Sequence, residues 1–282
     1  MKLKLPLKWH GGKNYLASKI MALMPKHLCY VEPYAGGLSV LLEKNPEGIS
    51  EVVNDLNGSL INFWNVLRHP DLFLLFQRRI EATPFSEDHF QASVETLRLH
   101  EEQARNVSWG NDNNLAWWAV SFFIVCRQSL AGRMKSFAPL SKTRVRRGMN
   151  EQVSAWITAI EGLSQVHKRL QRVVIVGPKP AVEVIRQQDG KDTLFYLDPP
   201  YLHQTRTTTE DYECEMTEEQ HGELLEVLGS IKGKFLLSGY RSDLYDDWAS
   251  ACSWERKEFD LPNNAASGKE KRRMVECVWR NY

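Results

Sequence analysis

The strongest constraint on how this sequence can fold is a rhythm that occurs at both ends of the chain and is missing from its middle. Cys29-Tyr30-Val31-Glu32 is an apolar run of strand length, Leu38 to Glu43 reads as the start of a helix, and Ser50 to Asn54 reads as a second strand. Leu60, Phe63, Trp64 and Leu67 then recur at helical spacing up to Pro70. Strand–helix–strand–helix is the pattern of a parallel α/β sheet. It resumes in the strand-length runs Arg172–Val176, Leu194–Leu197 and Phe235–Ser238. Between the last two, Thr217 and Gln220 form a capping-box pair ahead of a stripe of His221, Leu224, Leu225 and Leu228. The tail from Trp254 to Trp279 predicts two further strands, antiparallel to one another. From about residue 70 to 170 the spacing is helical instead. Leu72–Ile80, Phe90–His100, Leu115–Cys126 and Glu151–Leu170 each read as a helix, the last with Val153, Trp156, Ile157 and Ile160 on one face. The prediction is an α/β domain built from 1–62 and 170–282, with a mainly helical insertion over 63–169.

A chain of 282 residues is long enough for such a core, given roughly one domain per 150 residues. Apolar residues at 43% and charged residues at 25% exclude a disordered or fibrous chain. The longest apolar run, Ala116 to Cys126, is far short of the ~20 residues of a bilayer-spanning helix, so no membrane is expected. Met1 to Pro6 has neither the apolar stretch nor the cleavage pattern of a secretory signal. The cysteines at 29, 126, 214, 252 and 277 form no close pair and no zinc spacing. Reduced thiols, a cytoplasmic location and no metal are the expectation.

The net charge of +1 hides a local imbalance. Between Asn113 and Asn150 there is no acidic residue, while Arg127, Arg133, Lys135, Lys142, Arg144, Arg146 and Arg147 all fall there. A one-signed field of this kind is a candidate phosphate-binding surface, although a solvated basic loop has the same composition.

Three short elements carry candidate chemistry. In Val31-Glu32-Pro33-Tyr34-Ala35-Gly36-Gly37 a strand ends at a carboxylate and runs into a glycine turn, where a ligand can approach the backbone closely. Asp55 follows at the end of the next strand, where nucleotide-binding α/β folds hold ribose hydroxyls. The spacing also fits an Asp that merely caps the next helix. The glycines do not match the three-glycine dinucleotide fingerprint, which counts against an oxidoreductase. Asp198-Pro199-Pro200-Tyr201 follows the strand Leu194–Leu197, and should arise by chance in roughly one chain per thousand of this size. Its prolines remove two donors and leave rigid carbonyls. A carboxylate, a fixed carbonyl and an aromatic ring suit a planar exocyclic amine, whose two hydrogens can be accepted while its lone pair is turned toward an electrophile. A structural Pro-Pro turn is the alternative. Lys8-Trp9-His10-Gly11-Gly12-Lys13 adds an aromatic face and a cation, and is weak evidence alone.

In this order the elements resemble the Dam-like DNA adenine-N6 methyltransferase family, which shows Lys-Trp-x-Gly-Gly-Lys, Glu-Pro-aromatic-x-Gly, an Asp after the second strand and Asp-Pro-Pro-Tyr. Ser238-Gly239-Tyr240 and Val278-Trp279-Arg280-Asn281-Tyr282 extend the resemblance across nearly the whole chain. It implies a Rossmann-like methyltransferase sheet with an inserted helical target-recognition domain. It also implies S-adenosylmethionine as donor, S-adenosylhomocysteine as product, and double-stranded DNA as acceptor. Trp9, Lys13, Glu32, Tyr34, Gly36, Gly37, Asp55 and Asp198 would line the donor site, with Asp55 on the ribose. Asp198, Pro199, Pro200 and Tyr201 would be the catalytic motif, holding an adenine flipped from the duplex, and Tyr201 would stack on it. The basic 127–147 stretch would supply phosphate contacts. Many relatives carry an Asp shortly after the strand at 172–176, where this chain reads Gly177-Pro178-Lys179-Pro180.

Cytosine N4, RNA adenine, or a silent DNA-binding relative remain as alternatives on sequence alone. Cytosine C5 chemistry needs a cysteine nucleophile that these five cysteines do not offer. Glutamine methyltransferases carry Asn at the position of Asp198.

Overall fold

A computed structural model of the chain describes residues 3–104, 112–202, 215–262 and 273–282. Packing divides it into two units. The first holds Met1–Ser18, Gly36–Asn45 and Asn57–Pro178, and the second holds Lys19–Ala35, Pro46–Leu56 and Lys179–Tyr282. A short turn of helix, α1 (Ala17–Met21), spans the first change of unit.

The second unit contains the strands β1 (Cys29–Glu32) and β2 (Ser50–Val53), as the apolar runs predict. Strands β6 (Thr193–Leu197), β7 (Lys234–Gly239), β8 (Glu255–Pro262) and β9 (Arg273–Arg280) complete its sheet. Their order is β2–β1–β6–β7–β9–β8. β2, β1, β6 and β7 run parallel, and β9 and β8 close the edge antiparallel. All five residues of β6 are buried, the near-continuous apolar run of a parallel strand covered on both faces. Among its described residues this unit holds the helices α8 (Ala181–Gln188), α9 (Glu218–Ser230) and α10 (Asp243–Ala251). α9 opens on the expected capping box of Thr217 and Gln220 and buries the predicted stripe of His221, Leu224, Leu225 and Leu228.

The first unit is mainly helical. It contains α2 (Gly58–Arg68), α3 (Pro70–Glu81), α4 (Glu87–Ala104), α5 (Asp112–Gln128), α6 (Glu151–Glu161) and α7 (Leu163–Leu170). It also holds two strands of two residues each, β3 (Val145–Arg146) and β4 (Met149–Asn150), and the short strand β5 (Val173–Ile175). An aromatic cluster forms its core: Phe63 lies 5.9 Å from Phe76, 5.7 Å from Phe122 and 5.9 Å from Phe123. α2 buries the predicted stripe of Leu60, Phe63, Trp64 and Leu67, and α3 starts on Pro70, whose missing N–H costs nothing at a first helical position.

Two expectations are corrected. Leu38 to Glu43 forms turns and no helix, because Gly36 (φ +46°) and Leu38 (φ +53°) both take left-handed conformations that interrupt helical propagation. Glu151–Leu170 is two helices, broken at Gly162, whose N–H bonds to Ala159 O at 3.2 Å. On α6 the deepest side chains are Ser154, Trp156 and Ala159, while Val153, Ile157 and Ile160 are only half-buried. The four described cysteines are free thiols, and Cys214 lies outside the described residues.

Candidate active site

In the second unit the chain runs from β1 to its neighbour β2 on one side, and β6 pairs with β1 on the other. Such a reversal opens a crevice beyond the carboxyl ends of the strands, the usual ligand position in open α/β sheets. Glu32 ends β1, Asp55 follows β2, and Asp198 follows β6, so three carboxylates stand at the ends of three adjacent parallel strands. Val31 pairs with Phe195, and Tyr34 and Asp198 each follow that pair by three residues. The sheet register thus brings together residues the sequence separates widely.

Each group has a defined environment. Glu32 is buried and accepts the Tyr30 hydroxyl at 2.7 Å. Burial, then Tyr245, Asp55 and Glu223 nearby, raises the Tyr34 hydroxyl above the ordinary phenol range and keeps it neutral. Burial and the Asp198 charge do the same to Tyr245, whose hydroxyl meets His221 Nδ1 at 2.9 Å. The cap of α2 is Asn57, whose side chain accepts the Leu60 N–H at 2.8 Å, so the capping alternative for Asp55 does not hold.

Asn54 frames these strand ends, and sequence reasoning missed it. It is fully buried, and its side chain donates to Pro33 O and Lys179 O, each at 3.0 Å, and accepts Lys179 N–H at 3.2 Å. Its backbone N–H reaches Glu32 O at 2.9 Å, and its carbonyl accepts Ala35 N–H at 2.8 Å. One side chain, on the residue before Asp55, thereby ties together the turn after β1 and the segment entering α8. Nothing in the local sequence marks it. The segment at Lys179 is the one that lacks the relatives' carboxylate, and here Asn54 bonds its main chain.

Tyr201 is 7% exposed, with its ring edge-on to Tyr240 at 4.7 Å and its hydroxyl donating to the buried Glu276 on β9. Pro199 is buried and Asp198 half-buried. Glu276 is the second residue missed; an acidic residue at an inward position of a strand was the available signal.

In the first unit, Trp9 packs over the Gly36-Gly37 turn. A Cβ on Gly36 would stand 2.8 Å from Trp9 Nε1, and one on Gly37 would stand 2.8 Å from Trp9 Cβ. The close approach these glycines permit is therefore to the indole, and the first two sequence elements meet there. Trp64 Nε1 donates to Gly36 O at 3.1 Å from below. Lys13 is buried and bonds to Gly11 O at 3.0 Å.

The basic residues divide by exposure. Arg133, Lys135, Lys142, Arg144, Arg146 and Arg147 are exposed. Arg127 is half-buried and donates to Ala155 O at 2.9 Å, so it faces inward. Arg144, Arg146 and Arg147 sit on the β3–β4 hairpin, where Val145 pairs with Asn150 and Arg146 with Met149. Its two-residue loop, Arg147 (φ +55°) and Gly148 (φ +75°), has the left-handed pair of a type I′ turn. Arg147 is clamped by Glu161 at 2.8 and 3.0 Å, and Arg144 lies 3.5 Å from Glu151. Arg133, Lys142 and Arg146 form no ion pair among the described residues.

Among the described residues, no three His, Cys, Asp or Glu side chains gather as a metal set, and no helix is long and apolar enough to cross a membrane.

Comparison with known proteins agrees with this geometry. Residues 9–260 match the family of D12 class N6 adenine-specific DNA methyltransferases. A DNA adenine methylase of Escherichia coli is 24% identical over 250 residues, covering 86% of this chain and 82% of that protein. A DNA adenine methylase of Serratia marcescens is 34% identical over 97 residues, 34% of this chain and 33% of its own. The type II methyltransferase M.MjaIII of Methanocaldococcus jannaschii is 25% identical over 225 residues, 74% of this chain and 73% of its own. The chain belongs to the D12 class of N6 adenine-specific DNA methyltransferases.

Proposed function

We propose that this enzyme uses S-adenosylmethionine as donor and methylates an adenine flipped out of duplex DNA. The observation that carries the reading is the set of carboxylates Glu32, Asp55 and Asp198 at the ends of β1, β2 and β6. That donor set fits a cofactor with ribose hydroxyls, an ammonium and a sulfonium. Asp55 would hold the ribose hydroxyls, and Glu32 and Asp198 would set a negative field for the cationic end. Tyr34 in the second unit, and Trp9, Lys13 and the Gly36-Gly37 turn in the first, are the further candidates for donor binding. Bound there, S-adenosylmethionine supplies an electrophilic methyl group and leaves as S-adenosylhomocysteine.

The acceptor side belongs to Asp198-Pro199-Pro200-Tyr201. The Asp198 carboxylate and the Pro199 carbonyl accept the two amine hydrogens of adenine, which draws the nitrogen toward tetrahedral geometry and aims its lone pair at the methyl group. Asp198 then accepts the amine proton, which becomes acidic as the new N–C bond forms. Burial of Tyr34, Tyr201 and Tyr245 keeps their phenols neutral, so none competes with Asp198 as base.

Target recognition falls to the 63–169 segment, and the donor and catalytic residues to 1–62 and 170–282. The exposed Arg133, Lys135, Lys142, Arg144, Arg146 and Arg147 contact phosphates, with Arg127 supporting them from inside. The free thiols of Cys29, Cys126, Cys252 and Cys277 fit a cytoplasmic enzyme. Transfer from labelled S-adenosylmethionine to unmethylated genomic DNA, followed by nucleoside mass spectrometry, tests the reading. N6-methyladenine is expected; N4-methylcytosine, or label in RNA alone, overturns it.

A further inference from the structure

We propose that Glu276 is a positioning residue for the acceptor adenine, acting by holding the ring of Tyr201. The inference rests on the reading above, in which Tyr201 faces the acceptor base.

The sheet register explains how a residue near the end of the chain reaches the motif. β9 runs antiparallel to β7, and Gly239 pairs with Cys277. β7 in turn runs parallel to β6, with Leu197 opposite Leu237. The first half of β9 therefore lies level with the carboxyl ends of β6 and β7, and Glu276 sits one residue beyond the Gly239–Cys277 pair. Along β9, Val275 is 43% exposed and Glu276 is 3% exposed, so the carboxylate is on the inward side of the strand. An ionised or hydrogen-bonding carboxyl in that position is costly unless it has partners, and the Tyr201 hydroxyl is one.

That hydrogen bond fixes the one freedom that matters at the end of Asp198-Pro199-Pro200-Tyr201. The two prolines stiffen the backbone ahead of Tyr201, but the ring can still turn about its own side-chain torsions. Tyr240, edge-on at 4.7 Å and 73°, blocks one direction of swing. Glu276 anchors the far end of the ring and so fixes where the ring lies, while the edge contact with Tyr240 limits its rotation about its own axis, before any base arrives. Orientation held in advance lowers the cost of ordering the acceptor.

Three variants test this in steady-state methyl transfer, alongside donor binding and thermal stability: Glu276→Leu, Glu276→Gln and Tyr201→Phe. Glu276→Leu and Tyr201→Phe should each lower kcat/KM for DNA by about tenfold, the scale of one charge-assisted hydrogen bond, with donor Kd unchanged. Combining them should cost no more than the worse single change, because both break the same hydrogen bond. Glu276→Gln keeps an acceptor oxygen and should recover most of the loss. Unchanged kcat/KM in Tyr201→Phe, additive losses in the double variant, or equal damage from Glu276→Gln and Glu276→Leu would overturn the assignment. So would a parallel loss of donor affinity, which marks a general structural role. Tyr201→Phe remains informative if Glu276→Leu fails to fold. Failure of the wild-type enzyme to make N6-methyladenine would instead strike at the underlying functional reading.

Discussion

The strand-end carboxylates and the basic hairpin are built by opposite means. Around Glu32, Asp55 and Asp198 the backbone is fixed by parallel pairing, and the fully buried Asn54 bonds to the end of β1, the turn after it and the segment at Lys179. The hairpin at 145–150 has two residues per strand, an I′ turn and exposed side chains steadied by surface ion pairs. Exposed pairs of that kind contribute about 0–1 kcal/mol each. The contrast suits the division of labour. Atoms that react must be held in place beforehand, whereas a phosphate contact tolerates adjustment and draws its free energy from salt-dependent counterion release.

The sharpest break between the two regions should come from Asp198→Ala, which removes the proposed acceptor of the amine proton. We expect a loss of methyl transfer on the order of 10³-fold or more with the thermal midpoint little changed. Asn54→Ala comes next, acting through the frame. Three side-chain hydrogen bonds at about 1 kcal/mol each give ~3 kcal/mol of lost stability, read by denaturant unfolding, with weakened donor binding in the folded fraction. Asp55→Ala should raise the donor Kd by roughly tenfold, as expected for a lost hydrogen bond to a charged group, and leave DNA affinity within about twofold. Calorimetric titration checks it, and an unchanged donor Kd would remove Asp55 from the ribose.

The smallest change per residue should come from the hairpin. Neutralising Arg144, Arg146 and Arg147 together should flatten the dependence of log K on log salt by roughly 0.9 for each phosphate left without its cation. Arg146→Ala alone should account for more of this than Arg147→Ala, because Arg147 is already engaged by Glu161. An unaltered salt slope would place the phosphate footprint elsewhere.

Those two regions also differ in how far their sequence reveals them. β1, β2, β6 and β7 are short apolar runs, and carboxylates stand at the ends of the first three, so both the strands and their acidic ends could be read from residue order. The capping box of α9 was legible for the same reason, since its two partners lie three residues apart. Asn54 and Glu276 were not, because their partners lie 125 and 75 residues away and only the sheet register joins them. The hairpin was missed because Arg-Gly is a weak turn signal beside Asn-Gly, and strands of two residues leave no period to detect. Leu38 was misread as helical because a leucine at φ +53° has no local sequence signature.

The most direct test is single-turnover methyl transfer at saturating donor and DNA, comparing wild type, Asp198→Ala and the hairpin triple variant. Separation of chemistry from recognition predicts that the triple variant reaches the wild-type rate once DNA saturates, while Asp198→Ala stays inactive at every concentration. An Asp198→Ala rate within about tenfold of wild type, or a triple variant that stays slow at saturation, would contradict it.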